Sequence, residues 1–323
     1  MIEVNLKKCT TELATPPVLF LIFNRPDQTK QVFEQIRKHR PTHLFIAADG
    51  PRPGHHTDDQ NCQDSRAIID SIDWDCEVKT RFQEFNIGSK YAVSQAITWF
   101  FSFVDRGIII EDDCLPNDSF FKFTAEMLEV YQKDEQIMMI SGCSFQPSPL
   151  NTDSYYFSKY AHVWGWATWR RAWKMYHVEL DDVPETAFTS VLKSTFPLKR
   201  ERNRWRYNFN LILTGLDAWD YQWMFWIWKN QGLTIIPWQN MISNIGFGAE
   251  ATHTFDVNSR QSRMRQYEMT TIHHPSIVIQ NQKADAVERY IAIIDPIAKA
   301  HWHSTRSIAK TLIKSVLYWR NHE

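Results

Sequence analysis

Three consecutive carboxylates, Glu111, Asp112 and Asp113, end the apolar β-branched run Ile108 to Ile110. Such a run reads as a strand buried on both faces, as a central parallel strand is. Ligands of open α/β sheets gather at the carboxyl ends of strands like this one. Three like charges crowded there repel, and a hard divalent cation with oxygen ligands relieves the repulsion. The trio therefore points to metal and phosphate chemistry. The same residues also read as a solvated acidic turn, because Pro116, Asn117 and Asp118 follow.

Other residues of useful type stand at comparable places. Arg25 and Asp49 each lie just past an early strand, so a parallel sheet would bring them to the rim that holds the trio. A carboxylate there can accept from a base N–H, and a guanidinium can stack on or donate to a ribose or base. Asp49-Gly50-Pro51 also reads as an ordinary turn. Asn86 and Gly88 precede a helix whose free N–H groups, with Lys90, could receive an anion. Asp220 is the acid among the tryptophans of WDYQWMFWIWKNQG (219 to 232). Walled by indoles it would suit a general base, whereas the plainer reading makes Asp217 or Asp220 a helix N-cap and the indoles core.

The elements that must position these groups alternate through the first 145 residues. Strands are expected at 18–23, 43–49, 76–82, 108–110 and 137–141, and helices at 26–37, 64–72, 89–103 and 118–133. The alternation implies a mostly parallel, doubly wound α/β sheet, since each parallel crossover needs a helix to carry the chain back. From about residue 146 the pattern breaks into Pro, Ser, Asn and Asp loops and then aromatic segments. That half is expected to be a lobe packed on the first within a single catalytic domain, 1–300. The nucleotide-side half would run from about 16 to 145 and the acceptor-side half from about 146 to 300.

Composition removes several classes. A formal net charge of −1 offers no basic field for nucleic acid. Five cysteines without CxxC spacing argue for reduced thiols and against a zinc site. The apolar run Val18 to Phe23 is too short for a signal or a membrane span, so a cytoplasmic protein is expected. Of the 14 tryptophans, most fall between Trp164 and Trp238, where planar rings can fill a core or form platforms for sugars and bases.

These motifs, taken in order, resemble a GT-A glycosyltransferase, and more narrowly the alpha-1,3-mannosyl-glycoprotein beta-1,2-N-acetylglucosaminyltransferase type, from about Val18 to Thr254. The family's Glu-Asp-Asp trio followed by Pro-Asp-x-Phe-Phe is matched by Glu111, Asp112, Asp113 and PNDSFF (116 to 121). The resemblance implies that Asp113 ligates Mn²⁺ (or Mg²⁺) carrying the donor diphosphate, with Glu111 and Asp112 facing the sugar and ribose. Arg25 inherits a nucleotide contact, although Asn24 stands where the family has aspartate. Asp49 falls on the uracil-binding aspartate, and Lys90 falls where the family has a histidine near the base. HVWGWATWRRAW (162 to 173) resembles the segment beside the donor sugar and places Trp166 there. Trp219-Asp220 resembles the pair whose acid is the catalytic base. NIGFGAEATHT (244 to 254) resembles the loop that closes over the donor, with His253 as an additional metal ligand.

The implied activity is metal-dependent inverting transfer of a sugar from a UDP-sugar to a hydroxyl of a glycan or lipid-linked glycan. Two alternatives remain open. A sugar-phosphate nucleotidyltransferase shares the sheet and acids but normally carries a Gly-rich N-terminal loop, where this chain has FNRPDQTK. A non-catalytic carbohydrate-binding protein would use the tryptophans without the trio. Residues 304 to 320 space Ile308, Leu312, Ile313, Val316 and Trp319 along one helical stripe with basic residues off it. Such a helix can pack on its own domain or lie peripherally on an anionic membrane.

Overall fold

The structure is a computed structural model and describes residues 13–247 and 261–291. The acids stand at the end of β4 (Arg106–Glu111), whose Ile108, Ile109 and Ile110 are fully buried, as a strand covered on both faces requires. It pairs in parallel with β1 (Val18–Ile22), which pairs in parallel with β2 (His43–Ala48), which pairs in parallel with β3 (Glu77–Phe82). Register places Leu21 beside both Ala47 and Glu111, and Ala48 beside Phe82. Four carboxyl ends therefore finish level on one rim.

The crossover helices are those the apolar spacing predicts. α1 (Pro26–His39) opens with Pro, whose missing N–H costs nothing in a first turn, and buries Thr29, Val32, Phe33 and Ile36 on one face. α3 (Ser89–Phe103) buries Ser94, Ala96, Ile97, Phe100 and Phe101 against the sheet. The predicted helix 64–72 instead starts earlier, as α2 (Asp58–Arg66), and tightens into a 3₁₀ turn over Ala67–Ser71. The reason is Asp58. Its buried carboxylate accepts from Arg52 Nε and Nη2 at 2.7 and 2.9 Å and from Asn24 Nδ2 at 2.7 Å, which fixes where the helix begins. A carboxylate at position 24 would face Asp58, so an amide suits that place.

Arg52, and then Asn24, hold the Asp58 carboxyl down at about 2 against the opposing effect of burial. The folded chain thus binds this proton less tightly than the unfolded chain, and the pair stabilises fully above about pH 4. That stability is lost as pH falls towards 2. Arg52 is 42% exposed, so the contribution is discounted to roughly 1 kcal/mol. Asp58→Asn should lower the melting temperature at pH 7, and its melting curve should converge on the wild-type curve below pH 3. A constant gap across that range would remove the ion pair as the cause.

After the trio the chain forms β5 (Cys114–Pro116) and then α4 (Asp118–Val130), where Asn117 accepts the N–H of Phe120 as N-cap. The Pro-Asn-Asp signal is therefore a helix start, and Asp112, 6% exposed, is not part of a solvated turn. The second half is woven into the same sheet rather than laid against it. β8 (Trp166–Trp169) inserts antiparallel between β4 and β6 (Ile137–Ser141). β9 (Leu233–Pro237) adds parallel to β6, and β7 (Tyr155–Ser158) closes the far edge antiparallel. Six strands run one way and only β7 and β8 run against them, so the sheet is mostly parallel. β10 (Ile242–Asn244) pairs with β5 beside the acids.

The aromatic segments cover one face of this sheet. α5 (Arg170–Trp173), α6 (Glu185–Thr195), α7 (Lys199–Leu213) and α8 (Asp220–Lys229) pack there. Trp166 stacks on Trp219 at 5.6 Å, and Trp173 meets Trp223 at 5.2 Å. A buried aromatic of this size contributes roughly 1.5–3 kcal/mol. Their joint effect is to fix the amino end of α8, and Asp220 with it, over the sheet. Cys62, Cys76, Cys114 and Cys143 are free thiols. Among the described residues no helix is long and apolar enough to cross a membrane.

Candidate active site

A cavity of about 480 Å³ opens at the shared rim of β1, β2, β3 and β4. Its wall includes Arg25, Asp49, Arg81, the acid trio, Trp164 and Asp220. A second, larger hollow of about 1180 Å³ lies at the opposite edge of the sheet along β7 and β9, away from the carboxylates. The rim cavity holds the chemistry.

Within it, Asp112 and Asp113 share one counter-charge. Arg25 Nη1 lies 2.7 Å from Asp113 Oδ2 and 3.5 Å from Asp112 Oδ1, while the Phe23 N–H donates to Asp112 Oδ2 at 3.0 Å. Burial, then repulsion from Asp113, pushes the Asp112 carboxyl well up, with Arg25 opposing. Burial, then Asp113, Asp112 and Asp220, raises Glu111 well above the carboxylate range. One guanidinium thus faces a crowded trio of acids, and burial with mutual repulsion makes Glu111 and Asp112 hold their protons more tightly than free carboxyls.

Asp220 is the first residue of α8 and lines this same cavity. A carboxylate at that position stands at the positive end of the helix, which favours its anion. Asp217 has a different task. It does not cap α8; its Oδ2 and Oδ1 accept the N–H groups of Ser89 and Lys90 at 2.8 and 2.7 Å and cap α3 across 128 residues of sequence. Gly88, with φ +81°, allows this approach, because a Cβ there would lie 2.8 Å from Asp217 Oδ2. The amino end of α3, expected to be open to an anion, is therefore already occupied by a carboxylate. Lys90 is not brought to the cavity either, since its ammonium pairs with Glu179 at 2.7 Å.

Two other expected ligand contacts have structural duties. Asp49 Oδ1 accepts from the N–H groups of Gly50 and Ile87 at 2.8 and 3.0 Å, and Oδ2 accepts from Asn86 Nδ2 and Gly88 N at 3.0 Å each. Both oxygens are used in holding the loop before α3, which leaves little capacity for a base N–H. Trp166 is fully buried among Trp173, Trp219 and Trp223, away from the cavity; its neighbour Trp164 lines the wall instead. Trp164 precedes β8, and Gly165 between the two, with φ +59°, turns the chain so that the rings part.

Over the acids runs the segment after β10. Ile245 donates its N–H to Asp113 O at 2.8 Å, and a Cβ on Gly246 would stand 2.2 Å from Asp113 Oδ2, so only glycine fits there. Phe247 meets Trp164 edge-on at 5.9 Å. Residues 248–260, with His253, lie outside the described residues, as do 292–323 with the stripe at 304–320.

No family model matches this chain, and no curated protein does. Solved structures with some likeness include HddC from Yersinia pseudotuberculosis, at 12% identity over 53% of this chain and 86% of that one, TM-score 0.32. An apo UDP-glucose pyrophosphorylase shares 10% identity over 71% of this chain and 93% of that one, TM-score 0.34. A UDP-glucose pyrophosphorylase complexed with UDP-glucose shares 13% over 44% and 62%, TM-score 0.23. Likeness at this level carries no argument for an activity, which has to come from the cavity itself.

The cavity contains residues that sequence reasoning passed over. Arg81 follows the same logic as Arg25 and Asp49, standing at a strand's carboxyl end, and that signal would have found it. Arg52 depends on its tie to Asp58, and Asn244 on the pairing of β10 with β5, neither of which is legible in local sequence.

Proposed function

We propose that this chain is a metal-dependent inverting glycosyltransferase that moves a sugar from a UDP-sugar to a hydroxyl of a glycan or lipid-linked glycan. The observation that carries the reading is the convergence of Glu111, Asp112, Asp113 and Asp220 on one rim cavity beside a single Arg25.

Mn²⁺ or Mg²⁺ suits this donor set, which is all oxygen and crowded with acids. Among the described residues no three His, Cys, Asp or Glu groups form a ready-made metal site. Asp113 would therefore supply a single carboxylate, and the donor diphosphate other oxygens. When bound, the cation would offset charge building on the leaving diphosphate. Arg25, already 2.7 Å from Asp113, would orient the same group. Glu111 and Asp112 would face the sugar and ribose, and a protonated carboxyl among them could donate to a hydroxyl as well as accept from one. Asp220 would take the proton from the acceptor hydroxyl as that oxygen attacks the anomeric carbon from the face opposite the diphosphate. Trp164 offers a flat wall for a sugar ring.

One feature separates this reading from sugar-phosphate nucleotidyl transfer. α1 begins at Pro26, three residues after Phe23, which leaves no Gly-rich loop to wrap a triphosphate. Incubating the protein with UDP-sugars, Mn²⁺ and a panel of glycan acceptors tests the choice. Release of UDP with a β-linked product from an α-linked donor supports transfer. Conversion of the UDP-sugar and added pyrophosphate to UTP and a sugar 1-phosphate, with no acceptor product, would overturn it in favour of nucleotidyl transfer, and sugar binding indifferent to EDTA would favour a binding protein.

A further inference from the structure

The rim cavity runs across four strand ends, with the acid trio at β4 and Arg81 at β3. Three intervals separate those strands, about 14 Å at about 4.8 Å each. That span is comparable to the length of a nucleoside diphosphate. A donor with its diphosphate at Asp113 would place its base at the β3 end, where the wall is small and apolar, built from Ala48, Ala92, Val93 and Ala96.

Among the described residues, Arg81 is the cation of this cavity without a carboxylate partner. Arg25 pairs with Asp112 and Asp113, and Arg52 pairs with Asp58. Arg81 Nη2 donates only to the neutral Gln95 Oε1, at 3.1 Å, and its Nε is buried with no hydrogen-bond partner. A buried N–H left in this state invites an acceptor from a ligand. Gln83, Asn86 and Ser89 also line this end, and the oxygens of Asp49 are engaged by Gly50, Asn86, Ile87 and Gly88.

Resting on the glycosyltransferase reading, we propose that Arg81 is the base-reading residue of this site and selects uracil by donating to its carbonyl edge, while Asp49 shapes the loop and makes no base contact. A guanidinium offers donors only. Uracil presents two carbonyl acceptors, whereas adenine has none, so the site should favour UDP over ADP. Adenine's ring nitrogens can accept, but its exocyclic amine would set donor against donor where uracil offers a carbonyl oxygen.

Calorimetric titration of UDP, ADP and pyrophosphate, each with Mn²⁺, into wild type, Arg81→Ala, Arg81→Lys and Gln95→Ala tests this. Arg81→Ala should bind UDP at least tenfold more weakly and bring the UDP-to-ADP ratio close to one, with pyrophosphate affinity unchanged. Arg81→Lys should recover part of the preference. Gln95→Ala, which removes only the supporting amide, should keep it. Undiminished UDP preference in Arg81→Ala overturns the assignment, as does an equal loss for pyrophosphate, which would make Arg81 a phosphate contact. Failure of wild type to bind UDP would instead overturn the parent reading, and this one with it.

Discussion

Asp220→Asn should bind UDP with Mn²⁺ about as well as wild type and lose transfer by roughly 10²- to 10⁴-fold in kcat, the range that a positioned general base contributes. The substitution keeps shape and hydrogen-bonding reach while removing the lone-pair basicity that the attack needs. Folding should survive. The tryptophans that hold α8 in place are untouched, and the anion at the first helical position is worth only about 0.3–1 kcal/mol. Asp220 also raises Glu111, so neutralising it should let the trio ionise more readily and leave donor binding intact or slightly improved. A rapid-quench assay of product formation, alongside calorimetry for UDP, reads both halves. Transfer at the wild-type rate would remove Asp220 as the base.

Asp113→Asn should lose both functions. In this reading the cation depends on the single carboxylate of Asp113, since among the described residues no three His, Cys, Asp or Glu groups form a metal site. Charge stabilisation by a metal is worth several kcal/mol, so kcat/KM should fall at least 10³-fold, and the response to Mn²⁺ should disappear. The fold should tolerate the change, for two effects oppose each other. Arg25 loses its 2.7 Å partner but keeps Asp112, while Asp112 and Glu111 are relieved of a neighbouring like charge that raises both. A thermal melt should show little shift. Steady-state rates against Mn²⁺ concentration that match wild type would move the ligand role to Glu111 or Asp112.

The parallel half of the fold is readable because its signals are local. Val18 to Ile22 and Ile108 to Ile110 are uninterrupted apolar runs, and Pro26 and Asn117 mark helix starts by side-chain chemistry. Level strand ends then follow from parallel pairing, which is why Arg25, Asp49, the trio and Arg81 share a rim. The aromatic half resists the same treatment. WATW and YYFS are four-residue strands whose place in the sheet is set by long-range pairing, so β8 could not be seen entering between β4 and β6. Nor could sequence show which of two neighbouring indoles faces the cavity. Asp217 and Asp49 look available as a string of letters, yet each is engaged by backbone N–H groups brought from elsewhere in the chain. Those N–H groups follow Asn86 or open α3, and only the folded chain brings them to the carboxylates.

Calorimetric titration of UDP into the wild-type protein, first with Mn²⁺ and then with EDTA, tests the central claim most directly. Saturable binding with Mn²⁺ that EDTA abolishes is the expected result, since the carboxylate of Asp113 would oppose a bare diphosphate and a divalent cation would offset that opposition. Binding of equal strength in EDTA, or none in either condition, would contradict a metal-carried nucleotide at Asp113.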